Sequence, residues 1–79
     1  MTIGMTDGNT HTIYLSDRLK GRLLERVLTH ELCHAICFSY GIKIDNDFEE
    51  FLADFVAKYG TEIVNLLENI LEHLKRAEA

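Results

Sequence analysis

The sequence predicts one small α+β domain covering residues 1–79, in which an N-terminal β-hairpin precedes three helices. A turn sequence, Asp7-Gly8-Asn9, separates two β-tolerant runs, and the rest of the chain carries apolar residues at helical spacing without a proline. A core of this size supplies only about 3–5 kcal/mol, so such domains often need a metal or a partner. We therefore expect a small fold that a bound group helps to stabilise.

The hairpin is predicted from Thr2–Thr6 and Thr10–Leu15, which flank the Asp7-Gly8-Asn9 turn. Asp-Gly pairs are typical of the tight turns that join antiparallel strands. A hairpin alone is only marginally stable in water, so this one is expected to pack against the helices.

The first predicted helix can be capped by Ser16 or Asp17, and its regular part begins near Arg22. It runs to about Tyr40. Gly41 is well placed to end it, because glycine readily adopts the left-handed conformation found after many helices.

Two further start signals predict the second and third helices. Asn46 with Glu49 matches a capping box, which starts a helix that ends near Tyr59-Gly60. Thr61 can then cap a third helix, which runs to about Arg76. Six residues give this helix a broad apolar stripe, namely Ile63, Leu66, Leu67, Ile70, Leu71 and Leu74.

The stripe of the third helix has two interpretations. Cover for the domain core is the simpler one. Four of its residues also follow the alternating spacing of four and three that is typical of a coiled-coil seam, namely Ile63, Leu67, Ile70 and Leu74. A homodimer through the third helix is therefore the minority interpretation.

The segment His30-Glu31-Leu32-Cys33-His34 in the first helix has the pattern H-E-x-x-H. Two histidines four residues apart lie about 40° apart around a helix and roughly 6 Å along it, so both rings can reach one metal ion. Glu31 lies beside this face, where it can take a proton from a water, as the general base of a metallopeptidase does. The motif therefore predicts a zinc site with hydrolytic chemistry.

A catalytic zinc usually has three protein ligands, of which this motif supplies two. The best candidate for the third is Glu50, which forms E-x-x-x-D with Asp54 one helical turn later. Asp54 suits the carboxylate that commonly supports the ring of a zinc-bound histidine. Four residues compete with Glu50 as ligand, namely Asp45, Glu49, Cys37 and His73. Glu49 belongs more naturally to the cap of its helix, and Cys37 lies further along the helix of the histidines.

Together these motifs resemble the gluzincin arrangement, in which H-E-x-x-H lies on one helix and a glutamate ligand on the next. The residues E-x-x-A-D-x-V-A at Glu50–Ala57 look most like the small ImmA/IrrE-type metallopeptidases and the minigluzincins. The resemblance covers about Ile13–Gly60, and the N-terminal helix and third strand usual in those families are not evident.

The resemblance implies a role for each matching residue. His30, His34 and Glu50 would bind zinc, Glu31 would be the general base, and Asp54 would support the first histidine. In related zincins the substrate lies extended along an edge strand, which here would be Thr10–Leu15. A donor to the oxyanion is also needed, and the sequence does not choose among His11, Tyr40, Tyr59 and His73.

Composition limits the classes of partner. The formal net charge of −5 argues against general nucleic-acid binding, which usually needs a basic face. No apolar run approaches membrane-spanning length, so we expect no membrane partner. Cys33 and Cys37 lie four apart on a predicted helix, which is poor geometry for a disulfide, so reduced thiols and a cytoplasmic location are expected.

These observations predict a zinc-dependent metallopeptidase of gluzincin type, which hydrolyses peptide bonds of a peptide or protein substrate. The alternative is a zinc-stabilised binding or regulatory module with little or no peptidase activity. A third interpretation is a helical interaction protein in which the motif is fortuitous.

Overall fold

The structure is a computed structural model that describes residues 3–78, and it consists of a β-hairpin packed on a pair of antiparallel helices. The elements are strand β1 (Gly4–Asp7), strand β2 (Thr12–Leu15), helix α1 (Gly21–Ser39) and helix α2 (Asn46–Glu78). Thr2, the predicted start of the first strand, lies outside the described residues.

The strands pair antiparallel, from Gly4 opposite Leu15 to Asp7 opposite Thr12. The turn between them is longer than predicted and includes residues 8–11. The Asp7 carboxylate stabilises it, because its Oδ1 atom accepts the N–H of Asn9 at 3.0 Å. Each strand is therefore only four residues long, and its packing against α1 supplies the support that an isolated hairpin lacks.

Helix α1 begins at Gly21 and ends at Ser39, each within one residue of the prediction. Gly41 has φ +62°, and its N–H bonds the carbonyl of Phe38 while the N–H of Ile42 bonds that of Cys37, as in a Schellman motif. The predicted caps are wrong: Lys20 is the N-cap residue and gives no side-chain hydrogen bond. The Ser16 hydroxyl instead accepts the N–H of Arg18 within the turn before the helix.

The prediction of three helices is wrong, because α2 is one continuous helix of 33 residues where two were expected. Gly60 in a helix interior costs only about 1 kcal/mol relative to alanine, and no proline interrupts the backbone hydrogen bonds. Gly60 is half-buried, and a Cβ atom there would meet the Val56 side chain of the same helix at 3.3 Å. Thr61 could cap a new helix, but extending the existing helix is more favourable than starting another one.

The start of α2 is capped by Asp45, and the predicted capping box is absent. The Asp45 Oδ1 atom accepts the N–H of Phe48 at 3.0 Å, which is the bond an N-cap side chain makes. Glu49, the expected partner of Asn46 in that box, points to His34 in α1. Capping by Asp45 therefore leaves the Glu49 carboxylate available to the site.

The core between these elements is thin. Within residues 3–78 the buried hydrophobic side chains are Leu19, Cys37 and Ala53, and Glu31 is the buried charged residue. Strand β1 lies so close to α1 that a Cβ atom at Gly4 would come within 2.7 Å of the Val27 side chain. Beyond Gly60, α2 continues with every described side chain exposed. Neither of the two helices is apolar enough over its length to cross a membrane.

Candidate metal centre

Helix α1 presents two histidine rings on one face. His30 and His34 are one turn apart, with ring centroids 4.9 Å apart and an angle of 67° between the ring planes. Their Nε2 atoms point to a common position and lie 3.2 Å from each other. Both rings are mostly shielded from solvent by the surrounding chain, with about a fifth or less of each side chain exposed.

The carboxylate of Glu50 reaches this position from α2. Its Oε1 atom lies 3.0 Å from Nε2 of His34, and its Oε2 atom lies 3.4 Å from Nε2 of His30. One ligand atom from each of the three residues lies within 4.8 Å of the others. The antiparallel packing of α1 and α2 therefore assembles two imidazoles and one carboxylate at one point.

A further carboxylate lies beside the Nδ1 atom of each histidine ring. Nδ1 of His30 lies 3.0 Å from Oδ1 of Asp54, and Nδ1 of His34 lies 2.6 Å from Oε2 of Glu49. An ionised carboxylate only accepts hydrogen bonds, so each Nδ1 atom carries the hydrogen. Both Nε2 atoms then direct lone pairs to the position that Glu50 faces, which is the tautomer that metal-ligating histidines adopt.

The donor set fits a zinc ion. Ligand atoms about 2.0–2.1 Å from a tetrahedral ion lie roughly 3.3 Å from one another. The two Nε2 atoms lie 3.2 Å apart, Oε1 of Glu50 lies 3.0 Å from one and its Oε2 lies 3.4 Å from the other, so both carboxylate oxygens face this position. Two imidazoles and a carboxylate form the set that catalytic zinc sites of this type use, with a further position left to solvent or substrate. The Glu50 side chain is 60% exposed, so solvent reaches the cluster from its side.

Glu31 is buried against the hairpin, with only 9% of its surface exposed. The Thr6 hydroxyl in β1 lies 2.8 Å from Oε1 of Glu31 and 2.9 Å from its main-chain carbonyl oxygen. The hydroxyl can donate to either acceptor, so it fixes the carboxylate and the helix backbone against β1. Glu31 also lines the same cleft as His30 and His34.

The cleft has a volume of about 610 Å³ and is lined by both helices and by the first strand. Its walls include Gly4, Met5 and Thr6 of β1 together with the three residues of the histidine and glutamate cluster. The substrate strand expected from the sequence, Thr10–Leu15, does not line it; Thr12 and Ile13 line a separate, smaller pocket. An extended ligand in the cleft would therefore run beside β1.

The four candidate oxyanion donors do not line this cleft. His11 lies in the hairpin turn with φ +53°, and Tyr40 is 79% exposed at the end of α1. Tyr59 packs against Phe55, with ring centroids 5.2 Å apart and the ring planes tilted by 55°. His73 lies on the exposed half of α2.

Two other candidate ligands, Asp45 and Cys37, are not in the group that converges with His30 and His34. Asp45 caps α2. Cys37 is buried and lines the cleft, but the group of three converging ligand atoms contains Glu50 rather than Cys37. Burial raises the pKa of the Cys33 thiol, and the neighbouring Cys37 and Glu49 raise it further. A protonated thiol is a weak nucleophile, so cysteine-dependent chemistry is not favoured here.

The sequence did not indicate Thr6, and it indicated Glu49 only as a rival ligand or a cap residue, not as the partner of His34 Nδ1. Glu49 directly precedes Glu50 and matched a local capping pattern, which hid its role. Thr6 lies 25 residues before Glu31, and only the packing of β1 on α1 brings the two together.

The chain was compared as a whole with known proteins. It matches no protein-family model, and it has no significant match among curated proteins or among solved structures.

Proposed function

We propose that this protein is a zinc-dependent peptidase, similar in its site to gluzincins and most like the ImmA/IrrE-type metallopeptidases and minigluzincins. The observation that carries the proposal is the convergence of both histidine Nε2 atoms and the Glu50 carboxylate on one point, with separations of 3.0–3.4 Å. The tautomers set by Asp54 and Glu49 support cation binding, because they direct lone pairs inwards.

Each residue has a distinct part in this proposal. His30, His34 and Glu50 would bind the ion, while Asp54 and Glu49 keep the rings oriented. The bound zinc supplies a Lewis acid, which lowers the pKa of water and polarises a substrate carbonyl.

Glu31 would take one proton from the attacking water as the new carbon–oxygen bond forms at the scissile carbonyl. It would then transfer that proton to the amide nitrogen as the carbon–nitrogen bond breaks. The products are a carboxylic acid and an amine, and the Glu31 carboxylate is regenerated. Its place directly after His30 and in the wall of the cleft supports this role.

The substrate class is an extended peptide segment. Strand β1 lines the cleft, and within residues 3–78 its sheet partner is β2 alone, so we propose that an extended segment adds as a third strand at the other edge of β1. Main-chain pairing gives affinity with little dependence on side chains. We therefore propose unfolded or flexible protein segments as substrates. Because both cysteines are free, we propose a reducing, cytoplasmic location.

Cleavage of an unfolded protein substrate tests the proposal directly. The zinc-loaded protein should cleave it, a chelator should stop the cleavage, and an equimolar amount of zinc should restore it. Glu50→Ala serves as the inactive control, because its activity should not return with the same zinc. Cleavage that continues in chelator, or that Glu50→Ala retains, would show that another agent is responsible.

A second candidate function is a binding or regulatory module that zinc stabilises without hydrolysis. The thin core favours it, since only three hydrophobic side chains within residues 3–78 are buried and a metal would tie α1 to α2. The same cleavage assay separates the two functions. A protein that takes up one zinc per chain and gains thermal stability, but cleaves no unfolded substrate, is a module of this second kind.

A further inference from the structure

The C-terminal half of α2 extends beyond the rest of the domain. At 1.5 Å per residue, α2 is about 50 Å long whereas α1 spans about 28 Å, so α2 extends past its neighbour by roughly 20 Å. The longest dimension of the structure, 51 Å, matches the length of this helix. Every side chain from Thr61 to Ala77 is exposed.

This segment carries a broad apolar face. Seven large aliphatic side chains are each between 44% and 56% exposed, namely Ile63, Val64, Leu66, Leu67, Ile70, Leu71 and Leu74. The face continues the side of α2 on which Ala53 is buried and Val56 and Gly60 are half-buried. A monomeric protein rarely exposes so many clustered apolar residues without a partner.

We propose that a second copy of this chain covers the face, in an antiparallel pairing of the two overhanging helices. The stripe has the spacing of a coiled-coil seam, and antiparallel alignment sets Ile63 opposite Leu74 of the second copy and Leu67 opposite Ile70. The pairing is self-complementary, as the twofold symmetry of a homodimer requires. This inference does not depend on the metal site.

The charges along the segment favour the antiparallel alignment. Glu62, Glu68 and Glu72 precede Lys75 and Arg76, and Glu78 follows them, so the acidic residues lie mostly before the two basic ones. A parallel pair would set each glutamate beside its own copy. The antiparallel alignment brings Glu62 within one residue of the level of Arg76 of the second copy, at both ends of the seam, and opposes the two helix dipoles.

The available area is sufficient for a pair. Covering the exposed half of seven aliphatic side chains removes roughly 600 Å² per chain, or about 1,200 Å² in total, which reaches the lower end of specific stable interfaces. The seam lies past the domain body, so pairing leaves the cleft at the other end of α2 open.

Sedimentation equilibrium of the full chain, in reducing buffer and from 1 to 100 µM, tests the pairing. We expect a mass of about twice the 9.1 kDa of the chain. The double substitution Leu67→Glu and Ile70→Glu should give the single-chain mass throughout, with helical content and zinc uptake unchanged because both residues are exposed. The matched control, Asn65→Glu with Asn69→Glu on the opposite face, should remain a dimer.

Charge-reversal variants test whether the two helices pair in the antiparallel direction. Glu62→Lys alone and Arg76→Glu alone should each weaken association several-fold, and the two together should restore it. A wild type that stays monomeric at 100 µM means that another partner or segment covers the face, and it overturns the proposal. An assembly larger than a pair, or a double reversal no better than the singles, overturns the antiparallel dimer.

Discussion

The Glu49 carboxylate lies 2.6 Å from Nδ1 of His34, on the side of the ring opposite the converging Nε2 atoms. It gives the second histidine a partner equivalent to Asp54, which lies 3.0 Å from Nδ1 of His30. The two carboxylates are held on one helix, α2, together with Glu50. Consecutive residues of that helix therefore have different tasks, ring orientation for Glu49 and ligation for Glu50.

The first prediction is that Glu49→Ala weakens zinc binding without abolishing it. Loss of a carboxylate that orients a ligating histidine typically costs about 10–100-fold in metal affinity, because the ring loses its fixed tautomer and direction. Competition with a chelator of known affinity measures the change. Asp47→Ala is the matched control, since Asp47 is an exposed acid in the same first turn of α2. Equal affinities for the two variants would exclude an orienting role for Glu49.

The second prediction concerns Glu50, whose loss should have a larger effect than the loss of either orienting carboxylate. Glu50→Ala removes one of three ligands, whereas Glu49→Ala and Asp54→Ala leave all three in place. In the same competition assay, Glu50→Ala should therefore have the lowest zinc affinity. Glu49→Ala and Asp54→Ala should have intermediate affinities, and the affinity of Asp47→Ala should be close to that of the wild type. A result in which Cys37→Ser, rather than Glu50→Ala, gives the greatest loss would reassign the third ligand.

The position of Asp54 beside His30 was predictable from sequence, whereas that of Glu49 beside His34 was not. Asp54 lies one turn after Glu50, and a carboxylate at that spacing has few local uses. Glu49 occupies the third position after Asn46, where a capping box explains it equally well. The Asp45 side chain caps the helix, so Glu49 does not form a capping box with Asn46. Local sequence patterns cannot show whether Glu49 caps its helix or contacts His34, because that choice depends on where α1 lies.

The helix count failed for a related reason. Gly60-Thr61 combines a weak helix former with a good cap residue, so the local sequence favours an interruption. Breaking the helix at this point would avoid a glycine cost of only about 1 kcal/mol. It would also leave further backbone N–H and C=O groups without hydrogen-bond partners. The hairpin and the end of α1 were accessible from sequence because a turn and a left-handed glycine determine them locally.

The third prediction is that removing zinc lowers the melting temperature. A ligand that binds only the folded state stabilises it by about 2.7 kcal/mol at a hundredfold excess over Kd. For a domain of this size that corresponds to a shift on the order of 10–20 °C. Thermal unfolding followed by circular dichroism, with chelator and then with zinc restored, measures the effect. Glu50→Ala should melt at one temperature in both conditions. A wild type that behaves likewise would show that its core is stable without the ion.

The fourth prediction is that Thr6→Val reduces both stability and peptide cleavage. The change keeps the shape of the side chain but removes the hydroxyl that lies 2.8 Å from the buried Glu31 carboxylate. Leaving a buried acceptor unsatisfied costs about 1–3 kcal/mol, and the carboxylate loses its fixed direction. Thr6→Ser should restore both properties. The control is Thr12→Val in β2, whose hydroxyl bonds an exposed carbonyl in the turn. If Thr6→Val matches that control in stability and cleavage, the Thr6 contact has no positioning role.

The fifth prediction is that Glu31→Gln binds zinc as the wild type does but no longer cleaves peptide bonds. Glu31 is outside the group of converging ligand atoms, and a glutamine amide oxygen can still accept the Thr6 hydroxyl, so fold and metal uptake should be preserved. The amide cannot take a proton from water, and general acid–base catalysis contributes about 10²–10⁴-fold in rate. The two proteins should be compared at equal zinc content on one unfolded substrate, with melting curves as the check on folding. A variant that cleaves as fast as the wild type would remove Glu31 from the mechanism. If neither protein cleaves although both bind zinc, the ion has a structural purpose and the zinc-stabilised module becomes the better description of the site.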